Sequence, residues 1–418
     1  MSTDTRHQSA RDIVAVLPDR AHDVARLQTL AEGGEPVITV VGKYNHGKSR
    51  LLNELIGQDV FAVADRRETV ALADSLHRGV RWLDAPGLDA DVASEDDRHA
   101  LRAAWLESDI RLFVHAAKEG ELDASELALL GELQDDGART QRQTLFVLTQ
   151  VDQLASDVDL ESVSSAIGVQ MPGVALNAVS ATRHRKGLEG GKALLLEKSG
   201  IPAMRGVLEA ALARVPVARR HEAVRLFDEI HEALLQVRTE QESELAKLRH
   251  AQQQQRQTFE QGLKAVIEKV SGNIGAMLAA LDSDHALIPD TARDAYAITA
   301  GKLERAHIQI GYSRACIEID SFLAGHGVTG VPQKQQTVAH ALNSVMVAVM
   351  GVSVKFRKDL QRMFCEASGR ERLQREFIHY YELSADRQAL RESIVETESL
   401  IAGSARALAA LHALKADA

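Results

Sequence analysis

Gly42, Gly47, Lys48 and Ser49, in the run "GKYNHGKS", have the types and spacing to hold phosphate. The run follows "VITVV" and precedes the helical "SRLLNELIG", the strand–loop–helix context in which a G-x-x-x-x-G-K-S loop wraps a phosphate chain. Glycines let such a loop turn its backbone N–H groups inward, and the following helix adds the positive end of its dipole. Lys48 would bridge the β- and γ-phosphates and Ser49 would ligate Mg²⁺. Asn45, His46 and Arg50 complete the candidate contacts of this stretch.

Three further runs follow in order. In "VRWLDAPGLDA", Asp84 ends a strand, where its carboxylate can hold Mg²⁺ through water, and Gly87 can offer an N–H to the γ-phosphate. Taken alone, D-A-P-G is as often a simple turn. "TLFVLTQVDQL" ends a strand in Thr149, Gln150, Val151 and Asp152. The Asp152 carboxylate can accept from both the ring N–H and the exocyclic amine of guanine, a donor pair that adenine lacks. "NAVSAT" offers Ser180, Ala181 and Thr182, with a backbone N–H for the guanine O6. The expected ligands are GTP or GDP with Mg²⁺.

These runs need a scaffold that brings strand ends together. From Val37 to about Val215, short apolar runs such as "VITVV", "IRLFVHAA" and "TLFVLTQ" alternate with helical stretches, which predicts an α/β domain with a mostly parallel sheet covered by helices on both faces. Residues 9–31 read as an amphipathic helix broken around Pro18, packing with a neck. After Pro216 only Pro289 and Pro332 occur, and no strand run is evident, so 216–418 should be an all-α bundle. Apolar positions from Val224 to Leu281 follow three- and four-residue steps, the stripe of a long stalk or coiled coil. The run "HAQQQQRQ" interrupts that stripe and fits a polar layer, a helix break or a solvated turn. A second helical block, Thr337 to Leu414, should return along the first. The expected division is therefore 1–35, 36–215 and 216–418.

With those motifs in place, the chain resembles a GTPase of the dynamin superfamily. Gly42 to Ser49 matches its phosphate loop, Thr69 its switch threonine, Asp84 to Gly87 its D-x-P-G, and Thr149 to Asp152 its T-K-x-D. The match covers roughly residues 36–210; "GKYNHGKS" is similar to the LeoA-like bacterial branch, and the helical remainder resembles a neck and trunk in pattern only. The resemblance implies GTP hydrolysis, Thr69 and Ser49 with Asp84 at the metal, Lys48, Thr69, Tyr44 and Asn45 in catalysis, and a homodimer or hetero-oligomer formed through the GTPase head. Two departures matter. Gln150 replaces the lysine whose stem packs on the base, which should weaken affinity. Leu88 stands where Ras-like enzymes carry a water-orienting glutamine. Tyr44 and His46 read equally well as exposed loop side chains.

Composition narrows the partners. The formal charge of −10 and an aromatic content of 4% argue against a nucleic-acid partner and against a ribosome-associated GTPase. Cys316 and Cys365 lack metal-ligand spacing and suggest a reducing compartment, and the start has no signal-peptide pattern, so a cytoplasmic location is expected. "TVAHALNSVMVAVMGVSV" carries no charged residue and precedes Lys355, Arg357, Lys358 and Arg362. It reads as a buried trunk helix or as a membrane-touching tip near 325–358 on an anionic surface. The leading expectation is a GTP hydrolase whose nucleotide state moves a helical stalk, driving assembly or membrane remodelling. The alternative is a nucleotide-dependent scaffold with negligible turnover and no lipid contact.

Overall fold

The computed structural model describes residues 3–63, 73–84, 106–281, 283–294, 296–332, 335–336 and 343–416. Thr69, Gly87 and Leu88, and residues 337–342 of the apolar stretch, lie outside them.

The first strand, β1 (Val37–Val41), is a run of five β-branched residues, all buried. Side chains stiff at χ1 pack well on a pleat covered on both faces. With β2 (Ala73–His77), β3 (Val80–Asp84), β4 (Ile110–Ala116), β5 (Gln143–Thr149) and β6 (Leu176–Ala178) it forms a sheet of order β2-β3-β1-β4-β5-β6. Among the described residues only the β2–β3 pair is antiparallel. Successive residues of β4 serve opposite faces. Leu112 and Val114 join Leu51, Leu52, Met204 and Leu208 of helices α3 (Lys48–Ile56) and α8 (Ile201–Leu212). Phe113 packs instead with Leu130, Leu133 and Ile167 of α4 (Ala124–Thr140) and α5 (Asp157–Gln170). The fold is thus an α/β domain with a mostly parallel sheet, followed by a large helical region.

Two short helices, α6 (Ala181–Glu189) and α7 (Ala193–Glu197), lie between β6 and α8. At the N-terminus, α1 (Thr3–Val16) and α2 (Ala21–Glu32) flank a 3₁₀ turn at Pro18–Arg20. Their Ile13, Val24 and Leu27 pack with Leu226, Ile230 and Leu234 of α9 (Val215–Ala279) and with Leu408 and Leu411 of α14 (Ala385–Ala416). The chain divides into one unit of residues 1–237 with 403–418 and another of 238–402, so both dividing points fall inside long helices.

Charge also holds the first unit together. The Arg26 guanidinium donates to Glu222 at 2.9 and 2.7 Å and to Asp109 at 3.3 Å. Asp109 also accepts from Arg219 at 2.8 and 2.6 Å and from the Val37 N–H at 2.8 Å. Arg142 reaches both Glu222 and Asp136. The starts of β1 and β4 are therefore pinned to α2 and to the first turns of α9.

In the second unit, α9 runs through the glutamine tract without a break, with Gln253, Gln254 and Gln255 exposed. Glutamine is a good helix former, and a solvated polar face needs no packing partner. The expected return helix is not continuous: α11 (Val345–Met350), α12 (Arg357–Leu360) and a π turn at Gln361–Cys365 precede α13 (Ala367–Glu382) and α14. Phe259, Leu263 and Ile267 of α9 pack with Ile308, Tyr312 and Ile319 of α10 (Ala300–Ala324) and with Phe377 and Tyr381 of α13.

Part of the described apolar stretch lies in this core, as the buried-trunk alternative expects for those residues, while Ala348 and Val352 are exposed. Val345, Met346, Met350 and Val354 are buried, and the Tyr312 hydroxyl donates to the carbonyls of Met350 at 2.9 Å and Gly351 at 2.7 Å. Among the described residues no helix is long and apolar enough to cross a membrane. Val345→Ser is therefore expected to lower stability by about 2 kcal/mol, through lost burial and an unpaired hydroxyl. A variant that melts like wild type but loses liposome flotation would return the segment to the surface.

Candidate functional site

The strand ends of a parallel sheet gather at one edge, where open α/β sheets bind their ligands. β1 ends at Val41, the loop 42–47 follows, and α3 begins at Lys48. Gly42 has φ +155°, and a Cβ there would fall 2.2 Å from the Val114 carbonyl oxygen, so no other residue lets the loop lie this close to β4. Asn45 and Gly47 are left-handed, with φ 59° and 81°. Asparagine and glycine tolerate that region best. Lys48 is buried and folds back over its own loop, donating to the carbonyls of Gly42 at 3.0 Å and Lys43 at 2.8 Å.

Beside the loop, the Ser49 hydroxyl donates to Asp84 Oδ2 at the end of β3. Asp84 is buried, and its Oδ1 has no hydrogen-bond partner among the described residues. Burial pushes the Asp84 carboxyl up, opposed by the Ser49 hydrogen bond and the Lys48 charge. An orphaned buried carboxylate oxygen next to a hydroxyl suits Mg²⁺, a hard cation that takes oxygen ligands. The residues present fit that cation.

At the far side, the end of β5 buttresses the loop. The Thr149 hydroxyl donates to the His46 carbonyl at 2.5 Å, and Gln150 Nε2 donates to the Asn45 carbonyl at 2.5 Å. Gln150 thus ties the loop to β5 without the positive charge of a lysine. Asp152 Oδ1 accepts from the buried Ser180 hydroxyl at 2.6 Å, while Ser180 Oγ accepts from the Arg183 N–H at 3.0 Å and caps α6. Ser180 therefore orients Asp152 in addition to the backbone role expected for it. Ala181 and Thr182 open α6, where first-turn N–H groups have no helical acceptor.

The loop's other side chains diverge. Arg50 and Asn45 are exposed, and Tyr44 is half-buried with a buried hydroxyl that has no partner among the described residues. His46 is not the exposed loop residue that sequence allows: it is buried under the loop, with Nδ1 3.3 Å from the Val114 carbonyl and 3.6 Å from Glu126 Oε1. His115 Nδ1 lies 2.8 Å from the same Glu126 oxygen, and its Nε2 lies 3.1 Å from the Gly120 carbonyl. Burial pushes the His46 imidazole down, outweighing the Glu126 charge that raises it. Burial pushes the Glu126 carboxyl up, but the His115 hydrogen bond and charge outweigh it and hold the group below the usual range. Lys43 pairs with Asp123, which caps α4 together with Glu126. Sequence reasoning passed over His115 and Glu126; a histidine inside the apolar "IRLFVHAA" and the D-x-x-E capping pattern were the available signals.

Comparisons with known proteins agree with this geometry at the domain level. The sequence profile of the family described as 50S ribosome-binding GTPase matches residues 37–150. An uncharacterized protein of Acinetobacter baylyi is 50% identical over 386 residues, which span 92% of each chain. GTPase Der of Streptococcus gordonii is 37% identical over 99 residues, 22% of this chain and 22% of that protein. A solved structure described as an oligomerised bacterial dynamin pair that provides a mechanism for long-range sensing and tethering of membranes is 12% identical. It aligns over 96% of this chain and 76% of that one, with a TM-score of 0.37.

Proposed function

We propose the following function for a chain that belongs to the same family as the uncharacterized Acinetobacter baylyi protein and that carries a P-loop GTPase domain: it binds GTP with Mg²⁺, hydrolyses it, and passes the nucleotide state to its long helices. The observation that carries the reading is the meeting, at one edge of the sheet, of a phosphate loop, a Ser49–Asp84 pair with an orphaned oxygen, and an Asp152 fixed by Ser180.

In this reading the loop amides and Lys48 hold the β- and γ-phosphates, Ser49 and Asp84 hold Mg²⁺, and Asp152 accepts from the guanine edge. Bound Mg²⁺ would neutralise charge that develops between the β- and γ-phosphates. Thr69 and Gly87 are assigned the γ-phosphate side by their motifs, and Tyr44 and Asn45 flank it from the loop. Gln150, being uncharged, secures the loop and leaves the base held mainly by Asp152. Support for transmission comes from the ion-pair network, because Asp109 touches the Val37 N–H as well as Arg26 and Arg219. The dynamin-superfamily resemblance extends the proposal to assembly through the GTPase head, which light scattering with a GTP analogue tests.

Wild-type protein should prefer GTP over ATP, and Asp152→Asn should remove that preference at a cost of about 2 kcal/mol, since a donor then faces guanine's amine. The same variant should gain affinity for xanthosine triphosphate, whose ring carbonyl accepts where guanine donates. Competition titrations with a fluorescent guanine nucleotide read both effects, and equal affinity for ATP in the wild type would overturn the guanine assignment. If GTP binds but no phosphate is released, the nucleotide-dependent scaffold replaces the hydrolase.

A further inference from the structure

Beneath the phosphate loop, three buried side chains from separate elements converge: His46 from the loop, His115 from β4 and Glu126 from α4. We propose that they form a site for a transition-metal cation of the Zn²⁺ class, held by one ring nitrogen of each histidine and by Oε1 of Glu126, and distinct from the Mg²⁺ position at Ser49 and Asp84.

One ligand atom from each of the three residues lies within 4.8 Å of the others; Glu126 Oε1 sits 2.8 Å from His115 Nδ1, and His46 Nδ1, 3.6 Å from the same oxygen, would give up its 3.3 Å contact with the Val114 carbonyl on ligation. A cation at about 2.0–2.2 Å from each donor needs donors roughly 3–3.6 Å apart, so small side-chain shifts suffice. The outer contacts are those of a metal site. A carbonyl oxygen only accepts, so a neutral His115 that donates from Nε2 to the Gly120 carbonyl, 3.1 Å away, has its Nδ1 lone pair available to a cation. A backbone acceptor of this kind sets the tautomer and orientation of ligating histidines. Glu126 Oε2 accepts from the Asp123 N–H at 3.2 Å and faces Lys43 at 3.7 Å, which turns Oε1 toward the histidines.

Two imidazoles and one carboxylate select against Mg²⁺ and Ca²⁺, which take oxygen donors, and match a three-ligand zinc site with a fourth position open.

The site also bears on the nucleotide. His46 belongs to the phosphate loop, and its carbonyl accepts from Thr149, so a cation on its ring would fix the loop from below. This coupling rests on the nucleotide reading above; the metal site does not.

The test titrates chelator-stripped full-length protein with Zn²⁺ by calorimetry and with Co²⁺ by absorption, in the absence of nucleotide. One ion per chain is expected, with a Co²⁺ spectrum of low-coordinate nitrogen and oxygen ligation. His115→Ala and Glu126→Gln should each weaken Zn²⁺ binding at least about 100-fold, more than the loss of a group that only orients a ligand does, while His250→Ala, at an exposed helical position, leaves it unchanged. Glu126→Gln keeps the shape of the side chain, and circular dichroism checks that each variant is folded. Wild-type binding no tighter than that of the two ligand variants, or a Co²⁺ spectrum of the hexa-aqua ion, would reduce the cluster to a buried ion pair and overturn the proposal. Binding of a fluescent-labelled GDP to the metal-free protein separately tests the nucleotide reading. A Zn²⁺-dependent change of about threefold or more in that affinity supports the coupling, and an identical affinity with Zn²⁺ bound removes the coupling.

Discussion

Lys48→Ala should weaken GTP binding by at least about 100-fold, equivalent to roughly 3 kcal/mol, while helical content stays at the wild-type level. The side chain is folded over the phosphate loop and donates to the carbonyls of Gly42 and Lys43. Truncating one partner of a desolvated charge pair costs about 2–5 kcal/mol, because the other charge is left without its counter-ion. Here the partner left behind would be the β- and γ-phosphates. The loop itself keeps its seat on β4 through Gly42 and its ties to Thr149 and Gln150, none of which involves the ammonium. Titration with a fluorescent guanine nucleotide, alongside circular dichroism, reads both halves of the expectation. Unchanged affinity in a folded variant would remove the phosphate-loop assignment.

Glu222→Ala should be among the most destabilising single changes in the first unit, at about 3–5 kcal/mol, a sizeable share of the 5–15 kcal/mol that typically separates folded from unfolded chains. Glu222 is buried and accepts from Arg26 at 2.9 and 2.7 Å, and Arg142 lies 3.2 Å away. Burial pushes the Arg142 guanidinium down to about 10, and Glu222 supplies the leading charge that opposes it. Removing that carboxylate leaves the buried Arg26 with Asp109, which Arg219 also holds, and the buried Arg142 with Asp136, which the buried Arg111 also holds. Replacing Arg26 and Glu222 together, as in Arg26→Met with Glu222→Leu, should cost less than the single change, since no uncompensated charge from this pair remains. Chemical denaturation of the three proteins measures the difference. A Glu222→Ala midpoint equal to wild type would show that the network contributes nothing to stability.

The phosphate loop was legible in the sequence because its requirements are local: a left-handed or closely seated backbone needs glycine at Gly42 and Gly47, and Lys48 and Ser49 follow at fixed offsets. β1 was legible for the same reason, five β-branched residues in a row having little alternative to a buried strand. The helical character after Pro216 followed from periodicity, which a helix imposes on its own chain. What the sequence left open depended on partners distant along it. The glutamine tract was equally compatible with a helix and with a break, since polar residues face water in either, and the continuous α9 decided it. The stretch from Val345 to Val354 had the composition of a buried helix and of a surface tip; only the packing with α10 and α13 put Val345, Met346, Met350 and Val354 into the core. Ser180 could not be seen as the residue that holds Asp152, nor Arg26 as the partner of Glu222, because each pair is closed by the fold across 28 and 196 positions. His46 is the sharpest case. Its neighbours in sequence are loop residues, and its burial depends on His115 and Glu126, which β4 and α4 place beside it. Backbone geometry and periodicity are properties of a short stretch, whereas the direction of a side chain and the charge it meets are set by whatever the sheet brings alongside.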